Sequence, residues 1–303
     1  MDTRAPSRSG RWLVSGPPLL YLLVFFALPS LIMVLASFRT PGDFGGLAPL
    51  VENGRLDLNL DSYARFFSES VYAQIFLKSL WFALLTTLFC LALAYPLAAL
   101  IARTSKKYRN LLLLLVILPF WSNFLIRVYA WMIILGPNAA LARLVNGVLG
   151  WFGHGPVPLL FSSFAVLVCL VYVHLPFMVL PLYSNLEKHD QALLDAAQDL
   201  GANAWQRFWR ITFPLSLPGV YAGAALVFIP ALGIFAIPDI LGGPDDSLIG
   251  NVIKQQFLET RDWPFGSVLS IVLTVAALIL AGLAAWIARR NLGTPSSAKD
   301  ASA

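Results

Sequence analysis

The sequence predicts an all-α integral membrane protein with six transmembrane helices. Of its 303 residues, 58% are hydrophobic and only 12% are charged, whereas an ordinary soluble chain is about 25% charged. A helix needs roughly 20 apolar residues to cross a bilayer, because its backbone polar groups must be satisfied within the segment. The windows that meet this requirement are Leu13–Phe38, Leu77–Ala102, Leu111–Leu135, Phe161–Leu182, Val220–Leu241 and Val268–Ala288.

The first window follows three arginines, so a cleaved signal peptide is the alternative to a membrane helix. At 26 residues, however, Leu13–Phe38 exceeds the apolar stretch of about 7–15 residues that a signal peptide carries, and no small-residue cleavage motif follows. We therefore expect a retained signal-anchor, with residues 1–12 in the cytoplasm and residues 13–38 forming the first transmembrane helix.

Basic residues indicate the orientation, because Lys and Arg accumulate on the cytoplasmic side of a membrane protein. The short loop Arg103–Asn110 holds four bases and no acid, whereas residues 39–74 are longer and mixed in charge, as in an outer loop. Both termini, including the tail 291–303, are therefore expected in the cytoplasm. The net charge of +5 does not indicate a nucleic-acid partner, since the bases separate apolar runs and do not cluster on a soluble face.

Prolines interrupt the predicted helices in a way that is typical of a transport pathway. A proline removes one backbone hydrogen bond, and the resulting bend is tolerated where protein or a water-filled cavity satisfies the backbone. The prolines in or at the ends of the windows are Pro29, Pro96, Pro119, Pro176, Pro181, Pro230 and Pro238.

No residue pattern predicts an enzyme, a cofactor or a metal site. Cys90 and Cys169 lie inside apolar stretches, and the three histidines are far apart without ligand spacing. The sequence also lacks a P-loop, so we expect any ATP to be hydrolysed by a separate protein.

The inner segment 187–218 predicts two short helices that meet at a glycine corner. The first begins at an Asp190 cap and ends at Gly201, with an apolar stripe of Leu193, Ala196, Ala197 and Leu200. The second is capped by Asn203, carries Trp205, Phe208 and Trp209 on one side, and is expected to end at Pro214 and Pro218. On periodicity alone, an interfacial hairpin whose aromatic face lies in the lipid headgroups is the alternative.

The residues of this segment resemble the E-A-A-x3-G-x9-I-x-L-P signature of ABC importer inner-membrane permeases. Asp replaces Glu at position 195 and Phe replaces Leu at position 213. The resemblance implies a type I ABC importer permease fold, with a permease core of five transmembrane helices over residues 75–290. It also implies that 187–218 is a cytoplasmic coupling-helix loop that docks on an ATPase through Asp195, Ala196, Ala197, Gly201, Ile211 and Pro214.

Further blocks are similar to the first permease subunit of spermidine/putrescine ABC importers. This resemblance implies a bacterial inner-membrane location, a heterodimer with a second permease subunit, a cytoplasmic ABC ATPase dimer, a periplasmic substrate-binding protein, and a polyamine as substrate. The 39–74 loop is then periplasmic. The blocks begin at Pro119, Leu175, Phe228, Asp239, Leu248 and Arg261.

A polyamine needs carboxylates for its ammonium groups and aromatic faces for cation–π contacts. Asp239, which follows the break at Pro238, is the first candidate for the substrate pathway. Burying an ionised acid in a membrane costs free energy, so such a residue is usually functional. The alternative is an interfacial carboxylate that is solvated. Arg127 would repel a polycation, so we expect it in a structural ion pair, with Asp239 as one possible partner. Candidate aromatic walls are Phe235, Trp131, Tyr129 and Tyr172.

Other functions remain open at this stage. The same machinery can carry another small cargo, such as ferric iron, thiamine, an aminophosphonate or an opine-like compound. A secondary transporter would need more intramembrane ionisable residues than Arg127 and Asp239. A membrane enzyme would need a nucleophile, an acid–base pair or a metal cluster, and the windows contain none of these patterns.

Overall fold

The computed structural model describes residues 16–49, 51–52, 55–56, 58–153 and 155–291. The predicted segment 1–12, the start of the first window and the tail from residue 292 onward lie outside the described residues. Within the described part, six helical stretches are long and apolar enough to cross a membrane, so the predicted helical membrane class is confirmed. They are Gly16–Ala36, Ser70–Arg103, Phe124–Trp151, Ser163–Leu186, Ala204–Leu232 and Trp263–Trp286.

The chain divides into two compact units, whose boundaries fall inside helices. The first comprises Met1–Ala73 and Val252–Thr274, and the second comprises Gln74–Asn251 and Val275–Ala303. Helices of the stretch Met1–Ala73 are α1 (Gly16–Ala36, with a π turn at Leu23–Ala27), α2 (Asp61–Ser68) and the start of α3 (Ser70–Arg103), and a hairpin of two-residue strands, β1 (Val51–Glu52) and β2 (Arg55–Leu56), precedes α2. The remaining helices in chain order are α4 (Lys106–Ile117), α5 (Phe124–Leu135), α6 (Ala140–Trp151), α7 (Ser163–Leu186), α8 (Gln191–Asp199), α9 (Ala204–Arg207), α10 (Phe213–Leu232), α11 (Ala236–Leu241), α12 (Ile249–Leu258) and α13 (Trp263–Asn291).

In the first unit, one arginine joins α2 to the starts of α3 and α13. The Arg65 guanidinium donates to Glu69 and Asp262, both at 3.2 Å, and to the Tyr72 hydroxyl at 3.0 Å. It also lies 4.3 Å from the centre of the Phe265 ring. The segment predicted as an outer loop therefore contains an ordered helix, α2, held by a planar cation that binds several acceptors at once.

The third predicted window is interrupted in the structure. A 3-10 turn, Leu118–Trp121, separates α4 from α5, because Pro119 cannot continue the helical hydrogen bonds and the Asn123 side chain caps α5 by accepting from the Leu125 amide at 2.8 Å. Yet α4 packs on the second half of α7 and α5 on its first half. The pair α4 and α5 thus follows the length of α7. The stretch that is long and apolar enough to cross a membrane here is Phe124–Trp151, however, so the predicted bounds Leu111–Leu135 are wrong.

Helices α7 and α10 approach each other closely through glycines spaced by four residues. A Cβ atom on Gly219 would lie 2.8 Å from the Asn185 Cβ, and one on Gly223 would lie 2.6 Å from the Met178 Sδ. Such spacing allows helix backbones to approach in a membrane, where packing and not water exclusion drives association. The glycines therefore make α7 and α10 a tightly packed pair, which carries the 187–218 loop between them.

Candidate functional site

The first helix of the candidate coupling loop, residues 187–218, begins and ends as the sequence predicts. The Asp190 carboxylate accepts from the Ala192 amide at 3.0 Å, which satisfies one of the free N–H groups at the start of α8. Gly201 has φ +82°, and the following amide of Ala202 donates to the Ala197 carbonyl at 2.9 Å. A left-handed residue of this kind ends helices, and glycine adopts it without steric cost.

The second helix of the loop does not end where the sequence predicts. Asn203 and Gln206 form a reciprocal capping box at the start of α9, but the helix continues through a π turn, Phe208–Thr212, into α10. The expected termination at Pro214 and Pro218 is therefore wrong. The π turn, in which the Phe213 amide donates to the Phe208 carbonyl, widens the helix just before Pro214, whose missing N–H falls in the first turn of α10.

Apolar side chains of the coupling loop are exposed in this chain. Leu193 and Leu200 of the predicted stripe are 50% and 89% exposed, and Trp205 is 70% exposed. The side chains of the stripe thus leave apolar surface uncovered by the chain itself, and exposed apolar patches on proteins mark contacts with partners or membranes.

The predicted coupling residues occupy two regions of this loop. Asp195, Ala196 and Ala197 lie on α8 before Gly201, whereas Ile211 lies in the π turn and Pro214 in α10. Asp195 also lines a cavity of about 400 Å³ whose other walls include the cations Arg103 and Arg207. Space therefore remains between α8 and the region of the π turn.

Asp239, the first candidate of the substrate pathway, is exposed in the first turn of α11. The Asn251 side-chain amide donates to the Asp239 carboxylate, and also to the Phe235 carbonyl at 3.0 Å. Asn251 thus orients both the acid and the residue that precedes α11, while the Phe235 ring is 45% exposed. Asn251 belongs to the Leu248-Ile-Gly-Asn block of the sequence analysis. Its contact with Asp239, however, depends on the tertiary structure, and the order of residues along the chain does not reveal it.

The other aromatic candidates are partly brought together. The rings of Trp131, on α5, and Tyr172, on α7, meet edge to face with 5.6 Å between their centres. Tyr129 is 50% exposed on α5. Trp131 and Tyr172 therefore form one pair, whereas Phe235 and Asp239 are linked through Asn251, which binds the backbone carbonyl of the first and the carboxylate of the second.

The structure does not place Arg127 against Asp239. Its guanidinium lies 5.4 Å from the centre of the Phe120 ring and 5.9 Å from that of Phe124. Among the residues that the structure describes, no carboxylate forms an ion pair with Arg127, and its buried Nε has no hydrogen-bond partner. The cation is held by aromatic faces.

A buried acid that the sequence analysis missed lies between α11 and α12. The Asp246 carboxylate accepts from Lys78 Nζ at 3.2 Å, from the Gly243 amide at 3.0 Å and from the Ser163 hydroxyl. Burial alone would raise the pKa of Asp246, but these donors together hold it below the ordinary value of 3.8. A possible signal was the Gly242-Gly-Pro-Asp-Asp turn, in which an acid follows glycines that allow close approach.

The helical membrane fold and the loop between two closely packed helices define a class of transport protein. Residues 94–292 match the family described as binding-protein-dependent transport system inner membrane component. The chain belongs to this family, and it is a multi-pass inner-membrane protein.

The chain is 45% identical over 274 residues to the spermidine/putrescine transport system permease protein PotB of Salmonella typhimurium, covering 90% of this chain and 91% of the relative. PotB of Escherichia coli is also 45% identical, with 90% of this chain and 95% of the relative covered. The crystal structure of a bacterial alginate ABC transporter, in complex with an alginate pentasaccharide-bound periplasmic protein, contains a chain of the same fold. Its TM-score is 0.73 at 21% identity, over 93% of this chain and 96% of that chain.

Proposed function

We propose that the chain is the permease subunit of an ATP-driven, binding-protein-dependent importer of polyamines, with putrescine and spermidine as cargo. The observation that carries this proposal is the 45% identity, over 90% of the chain, to relatives named spermidine/putrescine permeases. The candidate pathway fits such a cargo chemically, since it combines a carboxylate with aromatic faces.

In this proposal, a cytoplasmic ABC ATPase dimer binds the coupling loop and hydrolyses ATP, and the chain itself uses no cofactor. Support comes from the exposed side chains of Leu193, Leu200 and Trp205, which a partner would cover. Asp195, Ala196 and Ala197 present small or charged side chains on the same helix, so a groove on the partner can approach the backbone closely.

The loop then lies in the cytoplasm together with both termini. This orientation agrees with the bases of the loop Arg103–Asn110, and with Lys188, Arg207 and Arg210 of the coupling loop. An ion pair between Arg109 and Glu187 joins the loop Arg103–Asn110 to the start of the coupling loop. The two segments proposed as cytoplasmic are therefore in direct contact.

A second, related permease completes the membrane part as a heterodimer, and a periplasmic binding protein delivers the cargo to the opposite side. The solved alginate transporter of the same fold has a periplasmic protein bound, which supports the part of the binding protein by analogy. Residues 39–74 would then face the periplasm, where α2 and its Arg65 contacts offer an ordered surface.

Asp239 and Phe235 are the proposed contacts for a substrate amine. Asn251 holds the Asp239 carboxylate in place, and the exposed Phe235 ring supplies a cation–π face. Replacing Asp239 by Asn should lower polyamine uptake at least about ten-fold in an assembled complex, since a desolvated ammonium loses its counter-charge. Asp245→Asn, an exposed acid nearby, is the matched control and should transport like the wild type.

The experiment that tests the function is ATP-dependent uptake into proteoliposomes that contain this chain, its neighbouring permease, the ATPase and the binding protein. Uptake of labelled putrescine and spermidine that requires ATP and is competed only by polyamines is the expected result. ATP hydrolysis that the binding protein stimulates without polyamine uptake would leave the machinery and overturn the cargo. Uptake that is independent of the ATPase would overturn the importer itself and favour a secondary transporter.

A further inference from the structure

The π turn of the coupling loop lies directly against an aromatic residue of α3. The Tyr95 ring meets Phe208, the first residue of the π turn, at 5.4 Å between ring centres and nearly edge to face. It meets Phe213, the first residue of α10, at 6.2 Å. One ring of α3 therefore contacts the first residue of the turn and the residue that follows it, where the coupling loop becomes a membrane helix.

A directed hydrogen bond adds to these ring contacts. The Tyr95 and Ser216 hydroxyl oxygens are 2.9 Å apart, and the single Ser216 proton is donated to the Phe213 carbonyl at 2.8 Å. Because a serine hydroxyl has one proton, Tyr95 must be the donor in the contact with Ser216. Ser216 is completely buried, so loss of this donor would leave its oxygen without water as a replacement.

Both helices are weakened at this contact. Tyr95 directly precedes Pro96, the proline inside α3, which removes one helical hydrogen bond and allows a bend. On the other side, the π turn at Phe208–Thr212 departs from regular α-helix, and such turns are frequent at functional sites. The ring of Tyr95 thus joins the π turn of the loop to a position of α3 beside its proline.

A cavity separates the first helix of the coupling loop from the end of α3 and from the π turn. The cavity of about 400 Å³ lies between α8, the end of α3 at Arg103 and the π turn at Phe208 and Thr212. Beyond the π turn, α10 is held to α7 by the close approach at Gly219 and Gly223. A displacement of the loop would therefore move α7 and α10 together. Buried residues of α3 such as Cys90 and Ala94 also pack against this pair, and Tyr95 adds to that packing a contact with the π turn and with the start of α10.

We propose that Tyr95 is a positioning residue that passes the movement of the coupling loop to α3, by its ring against Phe208 and Phe213 and its hydroxyl on Ser216. This inference rests on the proposed function, because it assigns a route for the movement that the ATPase imposes on the loop. Without the hydroxyl, the loop still moves with α7 and α10, but α3 follows incompletely, so ATP is hydrolysed with less transport.

The test uses the complete complex in proteoliposomes and measures the labelled polyamine imported per ATP hydrolysed, together with the stimulation of hydrolysis by the binding protein. Tyr95→Phe and Ser216→Ala should each lower import per ATP about five-fold, the factor expected for one buried hydrogen bond. The double variant should lose no more than the larger single loss, because both changes remove the same contact. Tyr108→Phe removes an exposed tyrosine hydroxyl near the cytoplasmic end of α4 and serves as the matched control.

The outcomes separate this inference from the proposed function. Normal ATPase co-purification with a lowered import per ATP in Tyr95→Phe and Ser216→Ala supports the role of Tyr95. If Tyr95→Phe imports as much per ATP as Tyr108→Phe, the inference is overturned while the proposed function stands. If the wild-type complex hydrolyses ATP under control of the binding protein but imports no polyamine, the cargo is wrong, and a lowered stimulation in Tyr95→Phe still supports the inference. A wild-type complex without any such stimulation overturns both.

Discussion

The Lys78 ammonium group lies 3.2 Å from a carboxylate oxygen of Asp246 and connects α3 to the turn between α11 and α12. The same carboxylate accepts from Gly243 and from Ser163 on α7. Asp246 has a side chain that is only 7% exposed, so its charge is poorly hydrated and depends on these donors. Three segments that are distant in sequence therefore meet on one ionised acid.

This contact makes the stability of the second unit depend on pH. The pKa of Asp246 is below its ordinary value because the hydroxyl, amide and ammonium donors outweigh burial. A lowered pKa contributes stability that is present above the ordinary carboxyl pKa and is lost as the pH falls through the lowered one. Thermal unfolding in detergent should therefore show a wild-type midpoint that decreases below about pH 4.

Asp246→Asn should lower stability at pH 7 by about 2 kcal/mol, since a charge-assisted contact is lost and Lys78 is left without its anion. The difference between variant and wild type should shrink as the pH falls, because protonation removes the same charge. Asp245→Asn, at an exposed position, controls for the change of charge alone. A difference that stays constant from pH 7 to pH 3 would show that the ionised form is not what stabilises the turn.

At the glycine corner of the coupling loop, Gly201→Val should reduce co-purification of the ATPase. Its φ of +82° costs an L-residue roughly 1–2 kcal/mol, and a β-branched side chain fits this region worst. A Cβ at this position would meet nothing within 4 Å in the chain, so the effect arises from the backbone turn and not from internal crowding.

Gly201→Asn is the matched variant, because asparagine adopts the left-handed conformation and ends helices in place of glycine. It should retain about half or more of the ATPase co-purification of the wild type, while Gly201→Val loses most of it. Pull-down of the labelled ATPase by the purified permease measures both. Binding by Gly201→Val that equals the wild type would exclude the turn as a docking determinant.

Gly219→Ala should destabilise the pairing of α7 and α10 by about 1–3 kcal/mol, the usual cost of overpacking. The new Cβ would lie 2.8 Å from the Asn185 Cβ and 3.1 Å from the Pro181 carbonyl oxygen, neither of which can rotate away. Gly147→Ala, a helical glycine with nothing within 4 Å of its Cβ position, should leave stability unchanged or raise it, because alanine favours helix. Thermal midpoints of the detergent-solubilised complex compare the two, and equal midpoints would contradict the close packing.

The sequence predicts the parts of this protein that depend on neighbouring residues. The Asp190 and Asn203 caps and the Gly201 stop are local patterns, and the structure contains each of them. Six apolar spans are also present, although the third is Phe124–Trp151 and not the predicted Leu111–Leu135. The end of the second coupling helix was mispredicted at Pro214, because a π turn can absorb a proline that usually ends a helix.

Contacts between distant residues were beyond the reach of those patterns. Lys78 and Asp246 are 168 positions apart, and no periodicity connects them. Likewise, the sequence marks Asp239 as an acid that needs a partner but cannot identify Asn251, since the contact arises only when α11 folds back toward the start of α12. Burial of polar groups requires partners, but only the tertiary structure determines which ones.

The charge-swapped pair Arg127→Asp with Asp239→Arg should not recover the assembly that either single change loses. Arg127 lies on the faces of Phe120 and Phe124, which suit a cation. Asp239 accepts from the Asn251 amide, a donor that suits an anion. Each swapped side chain therefore carries a charge that its new surroundings disfavour. Arg127→Asp places an anion against aromatic faces, which carry partial negative charge. Because no direct contact joins Arg127 to Asp239, the double variant should be at least as impaired as the more severe single variant. Arg127→Lys keeps a cation over the rings and should retain most of the assembled complex, which gel filtration in detergent measures. Recovery of the complex in the swapped double variant would instead establish the ion pair that the sequence first indicated.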